Sequence, residues 1–168
     1  YPHISVTYHE TVRSYYEEVV STGDFDIAIV ILEAGAPAWP IADIRLLAVA
    51  SHDHPLAKLA APISNDIVNS YPRSEIRNFS LSKKLPEVQG RPWMSNSIDA
   101  IIGAVKSGLC HGLLPYHLIK DELEQGTIVR LHLAEGGERL VPLGLVMGIS
   151  SLRPTPVDVL ANLIRDSG

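Results

Sequence analysis

Residues 95–115, SNSIDAIIGAVKSGLCHGLLP, decide how the chain folds. Ile98, Ile101, Ile102, Val105 and Leu109 recur at i, i+3, i+4, i+7 and i+11, the apolar stripe of an amphipathic helix. Asn96 is placed to cap its front, Asp99 adds a carboxylate at the positive end of the helix dipole, and Gly108 suits the left-handed residue that stops it. Leu109 to Leu114 then reads as a short buried strand bounded by Pro115. Tyr116 to Gln125 reads as a further helix, with Pro115 in its first turn and Gly126 closing it. This succession is a piece of an open α/β sheet, in which ligands sit beyond the carboxyl ends of strands and near helix N-termini.

Working outward, Ile4, Val6 and Tyr8 alternate with polar residues as in a half-buried strand, and Thr11 opens a helix whose face is Val12, Tyr15, Tyr16 and Val19. Phe25 to Leu32 is nearly continuous and apolar, the pattern of a parallel strand covered on both faces. Gly35 to Pro40 is loop, Ile44 to Ala50 a strand, and Pro62 to Asn69 a short helix. Tyr71 to Ile76 is extended but interrupted by Pro72, which fits an edge or irregular strand. Phe79 to Leu85 is weakly helical and Pro86 to Pro92 is loop. On the far side, Thr127 to Leu133 and Leu143 to Ile149 are strands. A last helix has Thr155 as cap, Pro156 at its first position and Val157, Leu160, Ala161 and Ile164 toward the core.

At 168 residues, 46% hydrophobic and 20% charged, the chain is an ordinary globular composition with room for one domain or two small lobes. A formal charge of −5 and no run of Lys and Arg make it a poor binder of DNA by itself, because duplex affinity rests on neutralising phosphates. Cys110 is the single cysteine, so an intrachain disulfide is excluded and a reducing, cytoplasmic setting is expected. No stretch of about 20 apolar residues suggests a membrane span.

Four segments in order carry a family resemblance. VKSGLCHGLLPYHLI resembles the "VaaGlGiallP" signature of the effector-binding domain of LysR-type transcriptional regulators. FDIAIV resembles that family's "gelDlai" strand, SHDHPLAK its "pdHPLA" crossover and LEQGTIVRL its "leqGrLv.L" strand. The resemblance implies an α/β architecture of two Rossmann-like lobes joined by two crossovers, like type 2 periplasmic binding proteins. Lobe one would be residues 1–48 plus 139–168, and lobe two 49–138. The family's N-terminal winged helix-turn-helix is absent from this chain, so DNA would be reached only through such a domain. A small-molecule effector, a carboxylate or aromatic metabolite, would bind between the lobes of a homodimer. A periplasmic solute-binding protein of the same fold is the alternative.

The candidate effector-binding residues follow from both readings. Asn96, Ser97 and Ile98 open a helix where the dipole and free N–H groups favour an anion, although a cap alone explains the first two. Thr11 opens the lobe-one helix in the same way. Ile31 falls where the family often carries a polar or Arg contact; here it is apolar, which leaves Glu33 or Arg73 for a charged role. Tyr71, Arg73 and Ser74 lie where the family's second-lobe sheet enters the cleft, with Arg73 the best-placed cation for a carboxylate and a loop Arg the plainer reading. His111 takes a small apolar position of the signature, as a ligand contact or a buried ring. Cys110 and His111 point to opposite faces, so they form no nucleophile and base pair. His52-Asp53-His54 lacks a third metal ligand, and no nucleophile elbow, GxGxxG or Walker loop is present, so no catalytic residue, metal or cofactor is expected.

Overall fold

The computed structural model describes residues 3–9, 25–32, 35–76, 92–148 and 155–166. The chain divides into two compact units, Tyr1–Ile44 with Val141–Gly168, and Arg45–Leu140. In chain order the elements are β1 (Ile27–Ile31), β2 (Trp39–Ser51), a 3-10 turn (Pro55–Lys58), α1 (Asn65–Asn69), β3 (Ser74–Ile76), β4 (Trp93–Ser95), α2 (Ile98–Lys106), β5 (Gly112–Pro115), a second 3-10 turn (Tyr116–Leu118), α3 (Lys120–Gln125), β6 (Ile128–Arg130), β7 (Glu138–Met147) and α4 (Thr155–Asp166). β2 and β7 are the two strands that run from one unit into the other.

In the first unit, β1 pairs antiparallel with β7, from Ile27 opposite Met147 to Ile31 opposite Leu143. Val30 and Val146 pack with Phe25, Ala28 and Ala38, and the Arg165 guanidinium of α4 lies 5.3 Å from the centre of the Trp39 ring on β2. Three expectations are corrected. Residues 4–9 form no strand and are exposed, Tyr8 to 82%, because an alternating pattern becomes a strand only where another strand offers it hydrogen bonds. β1 is antiparallel among the described residues, with Ile29 at 55% exposure, so an apolar run did not mean a parallel strand covered on both sides. Leu160 is 40% exposed, leaving Ala161 as the buried residue of α4. The Thr11 helix and the 79–91 segment lie outside the described residues.

In the second unit the inner half of β2, Leu46–Ser51, is buried throughout, as a strand covered on both faces must be. It pairs antiparallel with β5 through Leu47 and Leu114, and with β6 through Ala50 and Val129. β3 and β4 pair in parallel, and a bridge between Arg73 and His111 joins β3 to the start of β5. The period-two alternation then sorts the core. Leu47 and Val49 face Ile101, Ala104 and Val105 of α2, with Cys110, Leu114, Ile119 and Ile128. Ala48 and Ala50 face Leu56, Ile63, Val68 and Leu131 on the other side. Each fully buried Leu or Ile contributes about 1.5–3 kcal/mol, so these two layers hold the unit.

The decisive stretch folds as helix, turn and strand, with two local changes. Ser97, not Asn96, is the cap of α2: its Oγ accepts from the Ala100 N–H at 3.4 Å. Pro115 ends β5 and leads into the Tyr116–Leu118 turn, and α3 starts only at Lys120, because Ile119 leaves helical geometry to bury its side chain completely. Gly108 and Gly126, both at φ +73°, close α2 and α3 as the sequence requires. Leu109 is 58% exposed and lies off the buried stripe. Arg45 on β2 grips Glu138 on β7 with two hydrogen bonds of 2.7 and 3.1 Å, and Arg130 at the end of β6 reaches the same carboxylate at 2.7 Å. These guanidinium bonds hold the Glu138 carboxyl below its ordinary range.

Candidate functional site

The sequence candidates fall into separate places. β4 ends at Ser95, and a polar turn of Ser95, Asn96 and Ser97 carries the chain into α2. Ser95 Oγ accepts from the Ser97 N–H at 3.1 Å, and Ser97 Oγ caps Ala100, so two hydroxyls fix the turn while the exposed Asn96 side chain takes no part in the capping. Ile98 follows as the first helical residue and packs against the core layer beneath α2. The geometry presents a short run of polar groups at the carboxyl end of a parallel strand and the start of a nine-residue helix. Such a terminus favours a negatively charged or strongly accepting group by a few tenths of a kcal/mol to about 2 kcal/mol.

Arg73, Ser74 and Glu75 divide between the two faces of β3. Ser74 turns toward the α2 side: it hydrogen-bonds the Cys110 thiol, and a Cβ on Gly112 would overlap its hydroxyl. Arg73 turns the other way. Its Nη2 donates to Glu75 Oε1, its side chain is 14% exposed, and its buried Nε has no hydrogen-bond partner among the described residues. The sequence reading missed Glu75, although an Arg-x-Glu spacing on a strand puts both side chains on one face.

The Arg73 face also holds His111, 4% exposed, whose Nε2–H donates to the Val68 carbonyl at 3.2 Å. The His54 ring stands 5.4 Å from Tyr71 and 6.3 Å from His111, edge to face in both cases. His54 Nδ1 accepts the Leu56 N–H at 3.1 Å and so caps the Pro55–Lys58 turn. Burial, then the neighbouring His54, pulls the His111 pKa down to about 4, and burial lowers that of His54. Burial pushes the Cys110 thiol up to about 11 against its bond from Ser74, so it is held as an unreactive thiol. Ile31 is half-buried on β1 in the first unit, and Thr11 lies outside the described residues. The structure therefore brings Tyr71, Arg73 and His111 together, and Asn96, Ser97 and Ile98 together.

Among the described residues, no group of three His, Cys, Asp or Glu is gathered as metal ligands, and no helix is long and apolar enough to cross a membrane.

The LysR substrate binding domain family model matches residues 1–168. Among solved structures, the CcmR regulatory domain of Synechocystis PCC6803, in complex with 2-PG, is similar at a TM-score of 0.73 and 19% identity, over 99% of this chain and 85% of that one. The MetR regulatory domain of N. meningitidis is similar at 0.71 and 19%, over 99% and 81%. The regulatory domain of AphB C227S from Vibrio vulnificus is similar at 0.64 and 14%, over 85% and 77%. At these identities the likeness is one of fold. No curated protein matches the chain significantly by sequence.

Proposed function

The chain belongs to the LysR substrate-binding domain family, and from that premise we propose that it receives its effector at the polar turn leading from β4 into α2. It is an effector-sensing regulatory domain of the LysR type, a class of transcription-regulator domain and not an enzyme class, and the solute-transport alternative is not favoured. The observation that carries the choice of site is the exposed Asn96 side chain at the start of α2, beside a Ser97 whose hydroxyl already holds the helix open end. Arg73, paired with Glu75, and His111, bonded to the Val68 carbonyl, are engaged within the buried face turned away from α2 and are left out of this site.

The effector that this turn suits is a small anion or strong acceptor, a carboxylate among them. Binding there would act by preferring one conformation of the domain, and a tenfold preference supplies about 1.4 kcal/mol of bias. In a full regulator the bias would pass through a homodimer to DNA-binding domains in the cytoplasm.

Titration calorimetry of the chain with succinate, benzoate and 2-PG tests this reading. We expect at least one to bind, and Asn96→Ala to weaken it about tenfold with the thermal midpoint unchanged. Equal affinity in a folded Asn96→Ala variant removes the turn from the site.

A further inference from the structure

We propose that His54 and His111 form a proton-operated latch on the Pro55–Lys58 turn, which loosens in mild acid while the rest of the second unit stays folded. The proposal rests on packing and hydrogen bonding and is independent of where the effector binds.

Both rings are inside the unit, 3% and 4% exposed, with their centres 6.3 Å apart. Their present hydrogen bonds specify their protonation. His54 Nδ1 accepts from the Leu56 N–H, so that nitrogen must be bare, whereas His111 Nε2 faces a carbonyl and must carry hydrogen. A proton on His54 Nδ1 therefore costs the turn its cap. The turn carries Leu56, completely buried against Ala48, Ala50, Ile63, Val68 and Leu131. Freeing the cap thus releases an anchor of this core layer.

The surroundings add to the cost of a proton. Tyr71 stands over the His54 ring from the segment after α1, and Arg73, leading into β3, is the fixed cation facing His111. Glu75 is paired with that Arg73, and Cys110, next to His111 in the chain, faces the opposite side with Ser74. The backbone bonds of Val68 and Tyr71 to the His111 ring work the other way and favour its charged form, but burial, His54 and Arg73 outweigh them. The flanking His52 and Asp53 pair with each other at the surface, 53% and 77% exposed. Among the described residues no carboxylate faces either ring to hold a second positive charge. A proton entering the pair is thus relieved by opening the Pro55–Lys58 corner to water.

Amide hydrogen exchange on the intact chain, corrected for the intrinsic pH dependence of exchange, tests the latch. Protection at Leu56 and Ala57 should fall about tenfold for each participating histidine between pH 7.5 and pH 5.5, while amides of α2 change little. His54→Asn keeps a capping oxygen without a titrating ring and should flatten the profile; His52→Asn, on the surface, should leave it as in the parent. The latch is overturned if the parent shows no local loss of protection, if α2 loosens in step with the turn, or if His54→Asn follows the parent curve. Should His54→Asn fold poorly, ring carbon shifts of His54 and His111 against pH, followed by NMR in the parent, decide the same question: coincidence of ring titration with turn exchange supports the latch, and separation of the two overturns it.

Discussion

A histidine as enclosed as His111 records the pH in the stability of the whole chain. Its pKa is held down at about 4 in the fold, while an unfolded chain returns it to about 6.5. Between those values the unfolded state binds more protons, so the contribution is complete above about pH 6.5 and drains away as the pH falls toward 4, amounting to about 3 kcal/mol at the bottom. Urea midpoints at pH 7.5, 5.5 and 4.5 should therefore decline more steeply in the parent than in His111→Gln; parallel curves would contradict the assignment. Gly112 gives a second test at this scale. Its missing Cβ leaves room for the Ser74 hydroxyl, so Gly112→Ala should cost about 1–3 kcal/mol, and Ser74→Ala in the same chain should recover part of the loss. The sequence marks Gly112 only as a strand residue, since nothing in GLL announces a serine 38 positions earlier. In the same way Arg73 is legible as a cation but not as a buried one, because its partner Glu75 matters only once β3 fixes which face the two share.

Helix ends are where sequence and structure agree most closely. The α2 stripe, its stop at Gly108 and the following turn are all set by contacts a few residues apart, and these are present in the sequence itself. The cap moved by a single position, from Asn96 to Ser97, and this separates two roles. Ser97→Ala should lower stability by about 1 kcal/mol, and Asn96→Ala should leave the denaturation midpoint alone. Strands behave differently. The tract at residues 4–8 and β1 both have strand-like composition, yet only β1 finds a neighbour among the described residues, in β7 and antiparallel. Where β2, β6 and β7 meet, Glu138 takes Arg45 and Arg130 together. Those groups are exposed, so Glu138→Gln should lower the thermal midpoint at low salt and have a much smaller effect in 1 M salt, which a melting series checks directly.

On the scale of the molecule, the chain folds as two units linked by β2 and β7, each with its own apolar core. LysR regulatory domains typically form oligomers, and light scattering should give a dimer, at twice the 18.3 kDa chain mass. A monomer at micromolar concentration would remove the homodimer from the proposed relay. The four family-like segments and the α/β alternation were enough to give the family and the fold, because apolar periodicity, caps and turn glycines are short-range steric requirements that any neighbouring context must respect. Only the tertiary structure decided that Arg73, Tyr71, His54 and His111 share one side of a sheet, that Ser74 and Cys110 share the other, and that Asn96 is left free of the cap. Those outcomes depend on which distant strand lies alongside and in what register, and a one-residue change of register would exchange the faces without altering a single local preference.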